Sequence, residues 1–121
     1  MRRAGTPLLI AVAALTGCGG DVAPVRAPGN LARIAIDDYR QHPAAVQVRR
    51  GLVTFRVANR GRVPHNFAVR GPSGRVRLQI STLLPGESAA GTTRLPRGAF
   101  RMYCALANHE ELGEYGTIVV R

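Results

Sequence analysis

The chain has 121 residues, of which 17 are basic and 7 acidic, so its formal net charge is +10. Every basic residue is an arginine, and most arginines stand alone along the chain. Nucleic-acid binding usually requires a clustered basic face with stacking aromatic rings, whereas this chain has three tyrosines, three phenylalanines and no tryptophan. The composition therefore argues against a nucleic-acid partner and favours attraction to an acidic protein or to anionic lipid.

The first residues have the layout of an export signal. Arg2 and Arg3 precede a short apolar stretch at residues 8–15, which Thr16, Gly17 and Cys18 follow. The stretch is far shorter than the roughly 20 residues that span a bilayer, and it is typical of a secretory signal peptide. Because small residues and a cysteine follow directly, the segment also resembles a bacterial lipoprotein signal, in which the cysteine is lipidated. The alternative is an ordinary signal peptide with a chance cysteine.

Three segments are thus predicted. Residues 1–17 form the signal peptide, and residues 18–30 form a flexible tether that begins at the lipidated Cys18 and is rich in Gly, Pro and Ala. Fully extended, this tether could reach roughly 40 Å. Residues 31–121 form one compact domain, exported and lipid-anchored at the outer face of a bacterial membrane, in the periplasm or at the cell surface.

The domain is predicted to be all-β. Apolar residues recur at every second position in several short segments, which is the pattern of strands with one buried and one solvated face. Turn-forming Gly, Pro and Asn separate these segments, and none of them predicts an amphipathic helix. The pattern predicts a Greek-key β-sandwich or barrel of about seven to eight strands. The alternating segments lie at residues 32–36, 46–48, 53–57, 63–69, 76–80, 100–104 and 118–120.

A cysteine and two histidines are the residues of this domain that can carry chemistry. Four residues separate Cys104 from His109 in a predicted loop between two strands, and His65 shares a strand face with Phe67. A thiolate and imidazoles held together on a β-frame bind soft or borderline metals such as copper. A histidine on an apolar face can also be a structural residue, so His65 stays a candidate at this point.

Three segments in order resemble the plastocyanin-like cupredoxins, the small blue-copper proteins. They are the His65-Asn66-Phe67 segment, the strand from Gly98 to Cys104, and the loop from Cys104 through His109 to Thr117. The resemblance covers most of residues 31–121. It implies one copper ion held by a trigonal set of His65, Cys104 and His109, with Asn66 hydrogen-bonded across the site to steady the Cys104 loop.

One position departs from the pattern of the family. Where the resemblance implies an axial methionine, this chain has Glu114, directly after Gly113. A hard anionic ligand should favour Cu(II) over Cu(I) and lower the reduction potential. Alternatively, Glu114 is a solvated acid. Met102 is a second candidate for the axial position, and His42 for an accessory copper contact.

The resemblance favours a one-electron carrier that acts as a monomer with a redox partner protein. The first alternative is copper handling, meaning storage, sensing or delivery to an oxidase. The second is a small catalytic copper site whose coordination is modified by Glu114. A trinuclear copper cluster would need many more than the three histidines present.

Overall fold

The computed structural model describes residues 22–121, so the predicted signal peptide and Cys18 lie outside the described residues. Ten strands and one short 3-10 turn, Pro28–Asn30, make up the regular structure of this part of the chain. No helix within it is long and apolar enough to cross a membrane. The strands are β1 (Val25–Arg26), β2 (Leu31–Asp37), β3 (Arg40–His42), β4 (Ala45–Val48), β5 (Gly51–Asn59), β6 (His65–Arg70), β7 (Val76–Leu83), β8 (Ser88–Leu95), β9 (Gly98–Tyr103) and β10 (Tyr115–Val120).

The strands form two sheets. The six-stranded sheet has the order β1-β4-β10-β9-β6-β7, and the four-stranded sheet has the order β3-β2-β5-β8. Most neighbours are antiparallel, but β4 pairs in parallel with both β1 and β10, and β2 pairs in parallel with β5. The prediction of an all-β sandwich is confirmed. Eight of the ten strands have four or more residues, which matches the predicted number, and β1 and β3 are shorter.

The core lies between the two sheets and is built from the predicted alternating residues. The inward side chains of β5, Val53, Phe55 and Val57, are fully buried, as is Ile36 of β2. The aromatic rings of Phe55 and Phe67 pack against each other across the sheets, with their centroids 5.5 Å apart. Burial of each such side chain stabilises the fold by roughly 1.5–3 kcal/mol, so these positions determine the register of the strands.

Strands β6 and β8 differ from the sequence pattern, as do the short strands β1 and β3, which no segment predicted. Strand β6 begins at His65 rather than Val63, because Pro64 has no backbone N–H and the Val63 carbonyl accepts a hydrogen bond from Asn59. Strand β8 was not predicted, because it carries small residues at its inward positions. A side chain at Gly91 of β8 would meet Leu78 at 3.0 Å, so the small residues make room for β7.

The segment predicted as a tether is folded from Val25 onwards, which is nearly half of its length. Val25 and Arg26 pair in parallel with Val46 and Gln47 of β4. Asn30 then donates its side-chain amide to the Arg49 carbonyl at 2.8 Å and accepts from the Arg49 N–H at 2.8 Å. These backbone and side-chain hydrogen bonds extend the folded part upstream of Leu31, the predicted boundary.

Four connections meet at one end of the sandwich, here named the metal end. They are residues 38–39 between β2 and β3, residues 60–64 between β5 and β6, residues 84–87 between β7 and β8, and residues 104–114 between β9 and β10. The Asn59 side chain links two of them from a buried position. Its amide nitrogen donates to the carbonyls of Val63 and Leu83, and its oxygen accepts from the Gly61 N–H at 2.8 Å.

We predict that Asn59→Ala lowers the free energy of unfolding by about 2–3 kcal/mol, because it leaves buried backbone groups without partners. Urea titration of the metal-free protein measures this change. Gln79→Ala, on the exposed side of β7, is the control and should change stability by less than about 0.5 kcal/mol. Equal effects of the two substitutions would contradict the linking role of Asn59.

Candidate metal centre

Four potential metal ligands come together at the metal end. His65 is the first residue of β6, Cys104 directly follows β9, His109 lies in the connection to β10, and Glu114 is the last residue before β10. One ligand atom from each of these side chains lies within 4.8 Å of every other. The fold thus brings together the three ligands and the axial candidate that were predicted from the sequence.

The two imidazoles face the cluster with the same ring nitrogen. Nδ1 of His65 is 2.6 Å from Oε1 of Glu114, and Nδ1 of His109 is 3.3 Å from Oε2. Nδ1 of His109 is also 3.5 Å from Sγ of Cys104. The His65 and Glu114 side chains are fully buried, whereas that of His109 is 14% exposed and forms the solvent edge of the cluster.

Three buried atoms of this cluster lack a hydrogen bond of good geometry. Among the described residues, no hydrogen bond of acceptable geometry reaches Nδ1 of His65 or either carboxylate oxygen of Glu114. Buried polar groups are nearly always paired, and an isolated buried carboxylate is costly. A cation between the four side chains would satisfy all of these atoms at once.

The backbone of the connection between β9 and β10 places the ligands. The Cys104 N–H donates to the Glu114 carbonyl at 3.1 Å, which closes the loop, and the Glu114 N–H donates to the His109 carbonyl at 3.1 Å. Gly113 has a φ of 117°, a conformation that favours glycine. A Cβ at Gly113 would also lie 3.1 Å from the Tyr39 carbonyl oxygen, so the loop packs closely on the β2–β3 turn.

Asn66 connects β6 to the same loop. Its backbone N–H lies 3.5 Å from Sγ of Cys104, and its side-chain oxygen accepts a hydrogen bond from the Ala105 N–H at 2.7 Å. This is the arrangement that the family resemblance implied for Asn66. The contact fixes the position of the thiol relative to the adjacent His65.

An ion-pair network on the outside of the sheet anchors the loop next to His109. Glu110 bridges Arg70 of β6 and Arg101 of β9, with Nη1 of Arg70 3.0 Å from Oε2 and Nε of Arg101 2.8 Å from Oε1. The hydrogen bond from Arg70 holds the pKa of Glu110 below its ordinary value. The guanidinium of Arg70 also stacks 4.2 Å from the Tyr103 ring centroid.

Burial raises the pKa of the Cys104 thiol to about 11. The side chain is 1% exposed, so the thiol is neutral and shielded in the metal-free protein. This environment is that of a structural or metal-binding cysteine rather than of an exposed nucleophile.

Sequence reasoning missed two neighbours of the histidines, Asp38 and Tyr39 of the β2–β3 turn. Oδ1 of Asp38 lies 3.0 Å from Nε2 of His65. This hydrogen bond, together with one from the Arg62 N–H, lowers the pKa of Asp38. The Tyr39 ring stands edge-on to His109 with the ring centroids 5.2 Å apart. Because both residues are remote from the ligands in sequence, no motif marked them.

The other two candidate residues lie elsewhere. Met102 is fully buried in the hydrophobic core, and a side chain at Gly116 would overlap its terminal methyl group. His42 is exposed in β3, with its Nε2 4.0 Å from Oδ2 of Asp37. Neither belongs to the cluster of His65, Cys104, His109 and Glu114.

Solved structures with the same fold are copper proteins. The fold superimposes on auracyanin of Roseiflexus castenholzii with a TM-score of 0.70 and 17% identity, covering 76% of this chain and 97% of that one. A purple cupredoxin of Nitrosopumilus maritimus gives a TM-score of 0.56 and 20% identity, covering 74% of this chain and 99% of that one. No family model matches the sequence.

A sequence relative decides the family. The copper-resistant cuproprotein CopI of Rubrivivax gelatinosus is 30% identical over 122 residues, which cover 81% of this chain and 74% of the relative. The chain belongs to the cupredoxin family. Its cofactor is one copper ion. The side chains that this cupredoxin itself supplies at the cluster are suited to bind copper. Two imidazole nitrogens and a thiolate suit copper. Nδ1 of His65 and the Glu114 oxygens make no hydrogen bond of good geometry within residues 22–121, and a cation would satisfy them.

For this cupredoxin we predict that Cys104→Ser abolishes intense visible absorption of the copper-loaded protein, because that absorption requires a copper–thiolate bond. The absorption spectrum and the copper content per chain measure the result. His42→Ala is the control, because His42 lies outside the cluster, and it should leave both unchanged. An unaltered spectrum in Cys104→Ser would contradict ligation by this cysteine.

Proposed function

We propose that the protein is an exported, membrane-tethered one-electron carrier with a single copper ion bound by His65, Cys104, His109 and Glu114. The observation that carries this proposal is that the four donors converge within 4.8 Å at a buried point. Copper held there supplies one-electron chemistry by cycling between Cu(II) and Cu(I). The chain's part is to keep the donors in place in both states.

Contacts outside the cluster support rigid placement of the donors. Cys104 is held by the Asn66 N–H and by its own backbone hydrogen bond to the Glu114 carbonyl. Glu110, the residue after His109, is held by two arginines. None of these contacts depends on the metal. A carrier benefits from such a frame, because small ligand movements keep the cost of each electron transfer low.

The partly exposed edge of His109 supports a route for the electron. The other three ligands are buried, whereas His109 is 14% exposed at the metal end. A redox partner that docks over this end would come closest to the copper through the His109 imidazole. The basic charge of the chain favours an acidic partner surface.

Copper handling is the second candidate function. The relative from Rubrivivax gelatinosus is described as a copper-resistant cuproprotein, and Glu114 places a hard anionic oxygen in the cluster. Such an oxygen favours Cu(II) over Cu(I). A protein that binds Cu(II) tightly and releases Cu(I) would be suited to storage or delivery rather than to electron transfer.

We predict that Glu114→Met raises the reduction potential and shifts the spectrum towards that of a blue site, because the substitution removes an anionic oxygen that stabilises Cu(II). Each tenfold change in the Cu(II)/Cu(I) affinity ratio corresponds to about 59 mV. Voltammetry and absorption spectroscopy of the loaded protein measure both changes. Glu111→Met, at an exposed position of the same loop, is the matched control. A potential unmoved by Glu114→Met would remove Glu114 from the ligand set.

The same voltammetry separates the two functions. A carrier keeps its copper through repeated cycles of reduction and oxidation, so the signal amplitude should stay constant in the presence of a Cu(I) chelator. Loss of copper to the chelator after a single reduction would favour handling.

For the membrane tether we predict that Cys18 is the lipidated N-terminal residue of the mature protein. Mass spectrometry of the native protein should find acyl mass on Cys18, because the preceding residues have the layout of a lipoprotein signal. Cys18→Ser should move the protein from the membrane fraction to the soluble exported fraction. An unmodified N-terminus would leave an exported carrier without a lipid anchor.

A further inference from the structure

Asp38 is aimed at the side of His65 that faces away from the ligand cluster. Its Oδ1 lies 3.0 Å from Nε2 of His65, while Nδ1 of the same ring faces Glu114. Both oxygens of Asp38 also accept from the Arg62 N–H, at 2.9 and 3.0 Å. The carboxylate is therefore fixed by the backbone of the connection between β5 and β6, and it holds the imidazole on the side opposite Glu114.

Gly61 gives independent support for the importance of this contact. A Cβ at Gly61 would overlap Oδ1 of Asp38 and would lie 2.9 Å from Nε2 of His65. The glycine thus leaves just enough space for the carboxylate and the imidazole to meet. Its own N–H donates to the buried Asn59 side chain, so the gap is held open by the frame of the sandwich.

The backbone of the β2–β3 turn is held in an unusual conformation at the next residue. Tyr39 has a φ of 66°, which non-glycine residues seldom adopt and which persists where the surroundings enforce it. The turn therefore directs Asp38 to His65 and Tyr39 to His109 at the same time. One short segment of the four-stranded sheet contacts both histidines, which belong to the six-stranded sheet and its loop.

We propose that Asp38 is a positioning residue that accepts the Nε2–H of His65 and thereby sets the preference of the site for Cu(II) over Cu(I). This inference rests on the proposed ligation of copper by His65. With the proton kept on Nε2, the lone pair of Nδ1 is free to face the metal. The negative charge of Asp38, transmitted through the ring, makes Nδ1 a stronger donor.

Because Asp38 is charged, its replacement should affect Cu(II) and Cu(I) binding differently, and this difference distinguishes a positioning role from a purely structural one. A residue that only supports the fold would, when replaced, weaken Cu(II) and Cu(I) binding equally. A carboxylate that increases the donor strength of His65 stabilises the more highly charged ion more, so its loss should affect Cu(II) more than Cu(I). Replacement of such a partner typically lowers metal affinity by about 10–100-fold.

The test is a comparison of Cu(II) and Cu(I) affinities, measured by competition with chelators, in the full protein. Asp38→Asn keeps the shape of the side chain and removes its charge. We expect Cu(II) affinity to fall about tenfold or more, Cu(I) affinity to fall less, and the potential to rise by about 59 mV for each tenfold difference. Asp37→Asn, at the neighbouring exposed position, is the control and should leave both affinities unchanged.

Gly61→Ala is the second variant, because it should displace the Asp38 carboxylate while every charged residue is kept. As with Asp38→Asn, we expect Cu(II) affinity to fall and Cu(I) affinity to fall less. Equal losses of Cu(I) and Cu(II) affinity in Asp38→Asn, or no loss, overturn the inference even if the wild type binds copper. If instead His65→Ala binds copper as the wild type does, the proposed ligand set itself fails.

Discussion

The Glu114 carboxylate is buried between two imidazoles, and the rest of the metal end is arranged around it. Burial of an anion is unfavourable unless a cation or several hydrogen-bond donors compensate. The two imidazole Nδ1 atoms approach the Glu114 oxygens to 2.6 and 3.3 Å, but neither makes a hydrogen bond of good geometry to them. The backbone on both sides of Glu114 is nevertheless fixed, by the Cys104 N–H and by the start of β10. A positive ion held at the cluster would offset this cost and so stabilise the fold.

Most of the fold could be predicted because period-two hydrophobicity is a strong signal where inward residues are large. Strand β5, with Val53, Phe55 and Val57 inward, is the clearest case. Strand β8 carries Ala89, Gly91 and Thr93 at the positions that face β7, so the signal was absent. The pairing of β1 could not be predicted either, because the two residues between Pro24 and Ala27 are too few to show a period and are ordered by contacts with β4.

The four side chains that converge at the metal end had been singled out in the sequence, because they lie in or beside recognisable segments. Copper ligation by each of them stays a prediction, and the measurements described above test it. Asp38 and Gly61 escaped prediction for a physical reason. Their roles depend on a distance between connections of β2 and β5 that only the folded sandwich creates. Sequence motifs indicate residues that could bind a metal directly. Residues that contact those ligands from outside the cluster, such as Asp38, can be identified only in the folded structure.

The parallel pairing of β1 determines from which end the chain enters the domain. Val25 lies level with Val46 and Ile118, and β1 runs in the same direction as β10, which starts beside Glu114. Val22 and Pro24 accordingly line a cleft that runs along β10 and begins at Tyr115, the residue after Glu114. The extended chain from Cys18 to Val22 spans at most about 14 Å. If Cys18 carries lipid, as we propose, the metal end would lie close to the bilayer, and any partner that docks over it would have to do so at the membrane surface.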